Sequence, residues 1–87
     1  MLVVKKFYGD FCQPCKALNP LFTELKSTYS GKVSFQDINI EEDDKSVQKY
    51  GVRSVPTVVI EKNGTEVQRF VGLYSKLAYI NAINENL

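Results

Sequence analysis

Cys12 and Cys15 are the only cysteines in the 87-residue chain, and they stand three positions apart. A bridge between them closes so short a loop that it removes little freedom from the unfolded chain. No histidine is present to complete a zinc site with the two thiols. The chain must therefore hold together by burying apolar side chains. It has the material, with 44% hydrophobic residues spread over Val, Ile, Leu, Phe and Tyr. At this length that predicts one domain, residues 1–87, of simple architecture.

Leu2 to Tyr8 is an apolar run interrupted by Lys5 and Lys6 and reads as a strand. After Gly9 and Asp10, the residues Leu18, Leu21, Phe22, Leu25 and Tyr29 recur at helical spacing. Pro14 falls in the first turn, where its missing amide hydrogen costs nothing, while Pro20 sits in the interior and should bend the helix. Gly31 is expected to end it in a left-handed cap.

Val33 to Ile40 reads as a second strand, followed by a short helix capped by Asp43 or Asp44 and closed by Gly51. Thr57–Glu61 and Glu66–Val71 flank Asn63-Gly64, a pair that favours a tight hairpin. Ser75 is placed to cap a last helix carrying Leu77, Ile80, Ile83 and Leu87 on one face. The order β-α-β-α-β-β-α predicts an α/β fold. Its mixed four-stranded sheet joins parallel crossovers to an antiparallel hairpin, with helices on both faces.

The spacing of the cysteines suits reversible chemistry. Residues three apart share a helix face, so the two sulfurs can meet. Cys12 falls at the helix cap, where unpaired amide hydrogens and the positive end of the helix dipole favour a thiolate. An accessible Cys12 thiolate attacks a substrate disulfide, and Cys15, one turn deeper, resolves the mixed disulfide. Half a metal site shared between two copies is the competing reading of the pair.

The Phe11-Cys12-Gln13-Pro14-Cys15-Lys16 segment, Pro20, Tyr50–Thr57, Lys62-Asn63-Gly64 and Val71-Gly72 together resemble the thioredoxin family. The match runs from about Val3 to the C-terminus. That resemblance implies a thioredoxin-like fold and the reduction of protein disulfides, with no bound cofactor. Partners would be oxidised client proteins and a flavin-dependent thioredoxin reductase that supplies electrons. It also implies a cis bond before Pro56 and a docking surface made of Phe11, Gln13, Pro14, Val55, Pro56, Val71, Gly72 and Leu73. By its residues alone, Pro56 is simply an edge or turn proline.

Three departures from the family pattern stand out. The leading strand and helix of full-length thioredoxins have no counterpart, which brings the chain towards the minimal form shared with glutaredoxins. Phe11 replaces the usual tryptophan, and Gln13 the usual glycine. Lys6 stands where the family carries a buried acid, while Asp37 stands where it carries a lysine on the next strand. Parity puts Asp37 on a face with Val33 and Phe35, and a lone buried charge would be costly. Lys6 and Asp37 are therefore expected to pair beneath the cysteines, with Asp37 taking the proton-relay role. The alternative leaves Lys6 reaching for solvent and Asp37 at an exposed strand end.

Eleven basic residues against ten acidic ones leave a net charge of +1, which argues against nucleic acid or a membrane surface as partner. No apolar run nears the roughly 20 residues of a spanning helix, and the N-terminal charges follow rather than precede the apolar residues, unlike a secretory leader. A cytoplasmic monomer is expected. Asn63-Gly64-Thr65 matches a glycosylation sequon, but a hairpin turn explains it, and the acidic Glu41–Asp44 run suits a helix start better than a calcium loop. Three rivals remain. One is a glutathione-coupled, glutaredoxin-like enzyme, although Val71-Gly72-Leu73-Tyr74 lacks the double glycine and acids of glutathione capture. The others are a non-catalytic subunit on the same fold and an oxidase or isomerase acting outside the cytosol.

Overall fold

The computed structural model describes residues 1–87. Strand β1 (Leu2–Tyr8) lies inside a sheet of order β2-β1-β3-β4, with β2 spanning Val33–Asn39, β3 Thr57–Lys62 and β4 Thr65–Val71. β1 runs parallel to β2 and antiparallel to β3, and β3 pairs antiparallel with β4. The helices are α1 (Gln13–Thr28), α2 (Asp44–Tyr50) and α3 (Lys76–Asn86). The mixed four-stranded sheet and the element order are as expected, with strand ends differing by one residue, but only the first crossover is parallel: β3, expected to continue the parallel pairing, enters antiparallel to β1.

Because strand side chains alternate, the sheet has two different faces. Leu2, Val4, Val33, Val58, Ile60 and Phe70 pack with Leu18, Phe22 and Leu25 of α1 and Tyr79, Ala82 and Ile83 of α3. On the opposite face Phe7 and Val59 pack with Val52, supported by Val47 and Tyr50. Helices thus cover both faces, as expected.

Local chemistry explains the element ends. Asp43 caps α2 by accepting from the Ser46 amide, and Gly51 closes that helix at φ 62°. Ser75 caps α3 by accepting from the Ala78 amide. Asn63 and Gly64 both have positive φ (53° and 84°), as a tight primed hairpin requires.

Two further expectations need correction, and one feature was not anticipated. Helix α1 ends at Tyr29, whose carbonyl accepts from the amides of Lys32 and Val33; Gly31 takes a left-handed conformation within the turn and is not the cap. Of the expected α3 face, Ile83 is buried and Ile80 packs on the core, but Leu77 and Leu87 are exposed and the buried stripe is Tyr79, Ala82 and Ile83. The Tyr79 ring sets this rotation by docking edge-on against Phe22 and Phe70, at 5.3 and 4.8 Å between centroids. Finally, the β3–β4 ladder carries a bulge: Ile60 faces Gln68 but Glu61 faces Glu66, leaving Val67 as the extra residue.

Both lysines of β1 turn inward, on opposite faces. Lys5 donates to the Tyr50 hydroxyl at 2.5 Å and pairs with Glu61 at 3.0 Å, while Tyr50 donates to Glu61 at 2.8 Å. Burial opposes the Glu61 charge, but hydrogen bonds from Lys5 and Tyr50 outweigh it and hold the carboxyl below its ordinary 4.5. Burial likewise opposes the Lys5 charge, and the same bonds outweigh it, raising Lys5 above its ordinary 10.5. A depressed carboxyl stabilises the fold above its unfolded value, and that stability is lost as pH falls through the folded value. Glu61→Gln is accordingly expected to cost about 1–3 kcal/mol at neutral pH. The difference from the parent should shrink on acidification below about pH 4.5, read from urea midpoints across pH. A deficit that does not change with pH would refute this account.

Candidate active site

The loop between β1 and α1 is held in place from below. Asp10 accepts from the Asn39 side chain at 2.9 Å, and its amide donates to Glu41 at 3.0 Å. Cys12 is the N-cap of α1, with extended backbone (φ −108°, ψ 101°), and its Sγ accepts from the Cys15 amide at 3.2 Å. That contact is the physical form of the expected dipole stabilisation: an amide with no partner inside the helix points at the sulfur. The two cysteines are bridged, with their Cα atoms 5.2 Å apart.

In this disulfide form Cys12 is only 8% exposed and Cys15 3%, so the open access expected for Cys12 is reduced to a small window. The Gly9 and Val55 segments lie close to the bridged Cys12. A β-carbon added at Gly9 would sit 3.6 Å from Val55 and 3.9 Å from Cys12. The neighbours on the surface are open, with Phe11 94% exposed and Gln13 and Pro14 also solvent-facing.

The Val55–Pro56 bond is cis, as the resemblance implied. Pro56 is buried, and its carbonyl accepts from the Gly72 amide at 2.9 Å. Gly72 has φ 94°, a conformation that favours glycine. This bond joins the two loops expected to flank the cysteines, and on their outer side Val71 and Leu73 are exposed. The structure therefore brings Cys12, Val55, Pro56 and Gly72 into one neighbourhood.

Lys6 and Asp37 face each other across the β1–β2 ladder, and Lys6 Nζ lies 3.7 Å from Asp37 Oδ1. Lys6 is 5% exposed, but the Asp37 side chain is 38% exposed, so only one member of the pair is buried. Asp37 is also shared, since Lys26 of α1 donates to its other oxygen at 2.8 Å. Lys6 has closer company in Asn19, whose Oδ1 accepts from Nζ at 3.0 Å, and its ammonium sits 5.0 Å over the Phe22 ring. Burial pulls the Lys6 pKa below its ordinary 10.5, with Asp37 opposing that shift and Lys26 adding to it.

A cleft of about 360 Å³ lies here, with Lys6, Asp10, Lys16, Asn19 and Asp37 among its lining alongside Cys15. Sequence reasoning missed Asn19 and Lys26. Asn19 could have been found, because it lies one helical turn beyond Cys15 on the same face. Lys26 could not, since it reaches Asp37 only through the packing of α1 on the sheet. The residues present form no His/Cys/Asp/Glu cluster able to hold a metal ion, and no helix is long and apolar enough to cross a membrane.

A helix-capping cysteine bridged to its partner one turn on, set on this mixed sheet, defines a class: the chain is a thiol–disulfide oxidoreductase. The thioredoxin family model matches residues 1–85. Among curated relatives, the thioredoxin of Rickettsia bellii is 38% identical over 85 residues, covering 98% of this chain and 81% of its own. That of Chlamydia caviae is also 38% identical, over 98% of this chain and 82% of its own. An asparagine-to-glutamine mutant thioredoxin from Halobacterium salinarum superimposes with a TM-score of 0.88 at 32% identity, over 98% of this chain and 74% of that one. The chain belongs to the thioredoxin family.

Proposed function

We propose that this protein reduces disulfides in client proteins, with Cys12 as nucleophile and Cys15 as resolving thiol. The observation that carries the reading is the Cys15 amide pointed at Cys12 Sγ at the start of α1. A donor fixed there stabilises a Cys12 thiolate without rearrangement. The thiolate attacks one sulfur of the client disulfide and expels the other as a thiolate, which takes a proton. The Cys15 thiol then loses its proton and its sulfur attacks Cys12 Sγ. The Cys12–client bond breaks, the client leaves fully reduced, and the cysteine pair carries away the disulfide.

Phe11, Gln13, Pro14, Val55, Pro56, Val71, Gly72 and Leu73 are the client-contacting surface in this reading. Asp37, paired with Lys6, is the acceptor of the Cys15 proton at the solvent rim, and Lys6 itself exchanges no proton. The cysteine pair itself holds the two electrons, so no bound cofactor is required. The natural electron source is a flavin-dependent thioredoxin reductase, and the natural setting is a reducing compartment such as the cytoplasm.

A coupled assay tests this directly. Reduction of a protein disulfide should proceed with thioredoxin reductase and its nicotinamide donor, and at least about tenfold more slowly with glutathione and glutathione reductase, since reduced glutathione alone poises a less reducing couple than this family's. Faster turnover with glutathione would assign the chain to the glutaredoxin-like alternative.

A further inference from the structure

The cleft beside Cys15 contains charges of both signs, but they differ in how well water screens them. Asp10 and Lys16 are exposed, Tyr8 is partly covered, and Asp37 and Lys26 lie open at the rim, held together at 2.8 Å. Lys6 alone is buried. A charge withdrawn from water acts on its neighbours through a lower dielectric, whereas exposed charges are screened. The group nearest the Lys6 ammonium is Asn19 at 3.0 Å, a neutral acceptor one turn along α1 from Cys15. Asp37 is further, at 3.7 Å, and its charge is already matched by Lys26. The unscreened field at this end of the cleft is therefore positive.

We propose that the Lys6 ammonium, positioned by Asn19, is the counter-charge for the Cys15 thiolate in the resolving step. The proposal deepens the reductase reading and rests on it. As Cys15 gives up its proton towards Asp37 and solvent, negative charge develops on Sγ in the cleft that the fixed Lys6 ammonium also lines. That sulfur then attacks Cys12 and the client thiolate departs, so Lys6 gains and loses no proton. Asn19 acts only through Lys6: it keeps the ammonium at the cleft instead of letting it close on Asp37. The geometry thus makes use of the lysine that stands in β1, where an acid would have repelled the same thiolate.

The test uses the full chain with Cys12→Ser, which leaves Cys15 as the sole thiol, and follows its ionisation by ultraviolet thiolate absorbance against pH. Adding Lys6→Met should raise the midpoint by about one unit, as expected when an opposite charge lining the same cleft is removed. Asn19→Ala should move it upward by a smaller amount. Because that substitution is at a solvent-facing helix position, it carries the test if Lys6→Met fails to fold. Asp37→Asn should leave the midpoint unchanged or lower it. An unmoved midpoint in folded Lys6→Met and in Asn19→Ala, or a raised one in Asp37→Asn, overturns the proposal. The titration involves no client, so it fails or succeeds independently of the coupled assay.

Discussion

Cys12→Ser is expected to reduce protein-disulfide turnover at least about a thousandfold, on the order of the loss seen when an enzyme's nucleophile is removed. A serine hydroxyl at the cap of α1 still accepts from the Cys15 amide, so the helix start is preserved. It is not ionised at neutral pH and cannot form a sulfur–sulfur bond, so the first step disappears. Cys15→Ser should fail differently. Cys12 still attacks, but nothing displaces the client, and a covalent adduct accumulates that mass spectrometry resolves. The pair of outcomes assigns the two roles separately. Full biological activity in the double mutant would instead favour the non-catalytic subunit reading.

Phe22→Ala is expected to lower stability by about 3–5 kcal/mol, a large share of the roughly 5–15 kcal/mol that a domain of this kind has. Phe22 is 1% exposed and sits where α1, α3 and the sheet converge. Its ring meets Phe35 at 6.4 Å and Tyr79 at 5.3 Å between centroids, both edge-on. Truncation leaves a cavity that three packed elements cannot close by collapse. It also strips the aromatic face from under the Lys6 ammonium, 5.0 Å away. Urea unfolding followed by far-ultraviolet dichroism should show the midpoint fall with the slope unchanged. A loss below about 1 kcal/mol would mean that this ring does not centre the core.

Much of the fold was legible because local and global signals agree. Asp43, Gly51, Asn63-Gly64 and Ser75 are each residues whose own chemistry makes a cap or a turn, and the structure uses them there. The face of α3 was misread for a physical reason. Apolar spacing selected Leu77 and Leu87, but the amphipathic Tyr79 buries more area and fixes the helix rotation through two ring contacts that no local pattern encodes. The bulge after Ile60 was invisible for the same reason, since it depends on how β4 pairs across the sheet.

In the site, the cis bond was implied only by the family resemblance, whereas the cysteines and the Lys6–Asp37 contact could be anticipated, the latter from strand parity and the cost of burying one charge. Which partner is buried could not. β1 is flanked on both sides, so Lys6 is enclosed, whereas β2 is an outer strand, so Asp37 keeps contact with water and with Lys26.

The bond from the Gly72 amide to the Pro56 carbonyl has a bearing on which clients suit this protein. It ties together the two ends of the β3–β4 hairpin, so the proposed contact walls on either side of Cys12 hang from one frame of fixed width. Such a mould does not adapt to a bulky target. Selectivity between clients should then follow how readily each can peel a short extended stretch away from its own surface, and locally frayed disulfides should be reduced ahead of those clamped inside rigid domains.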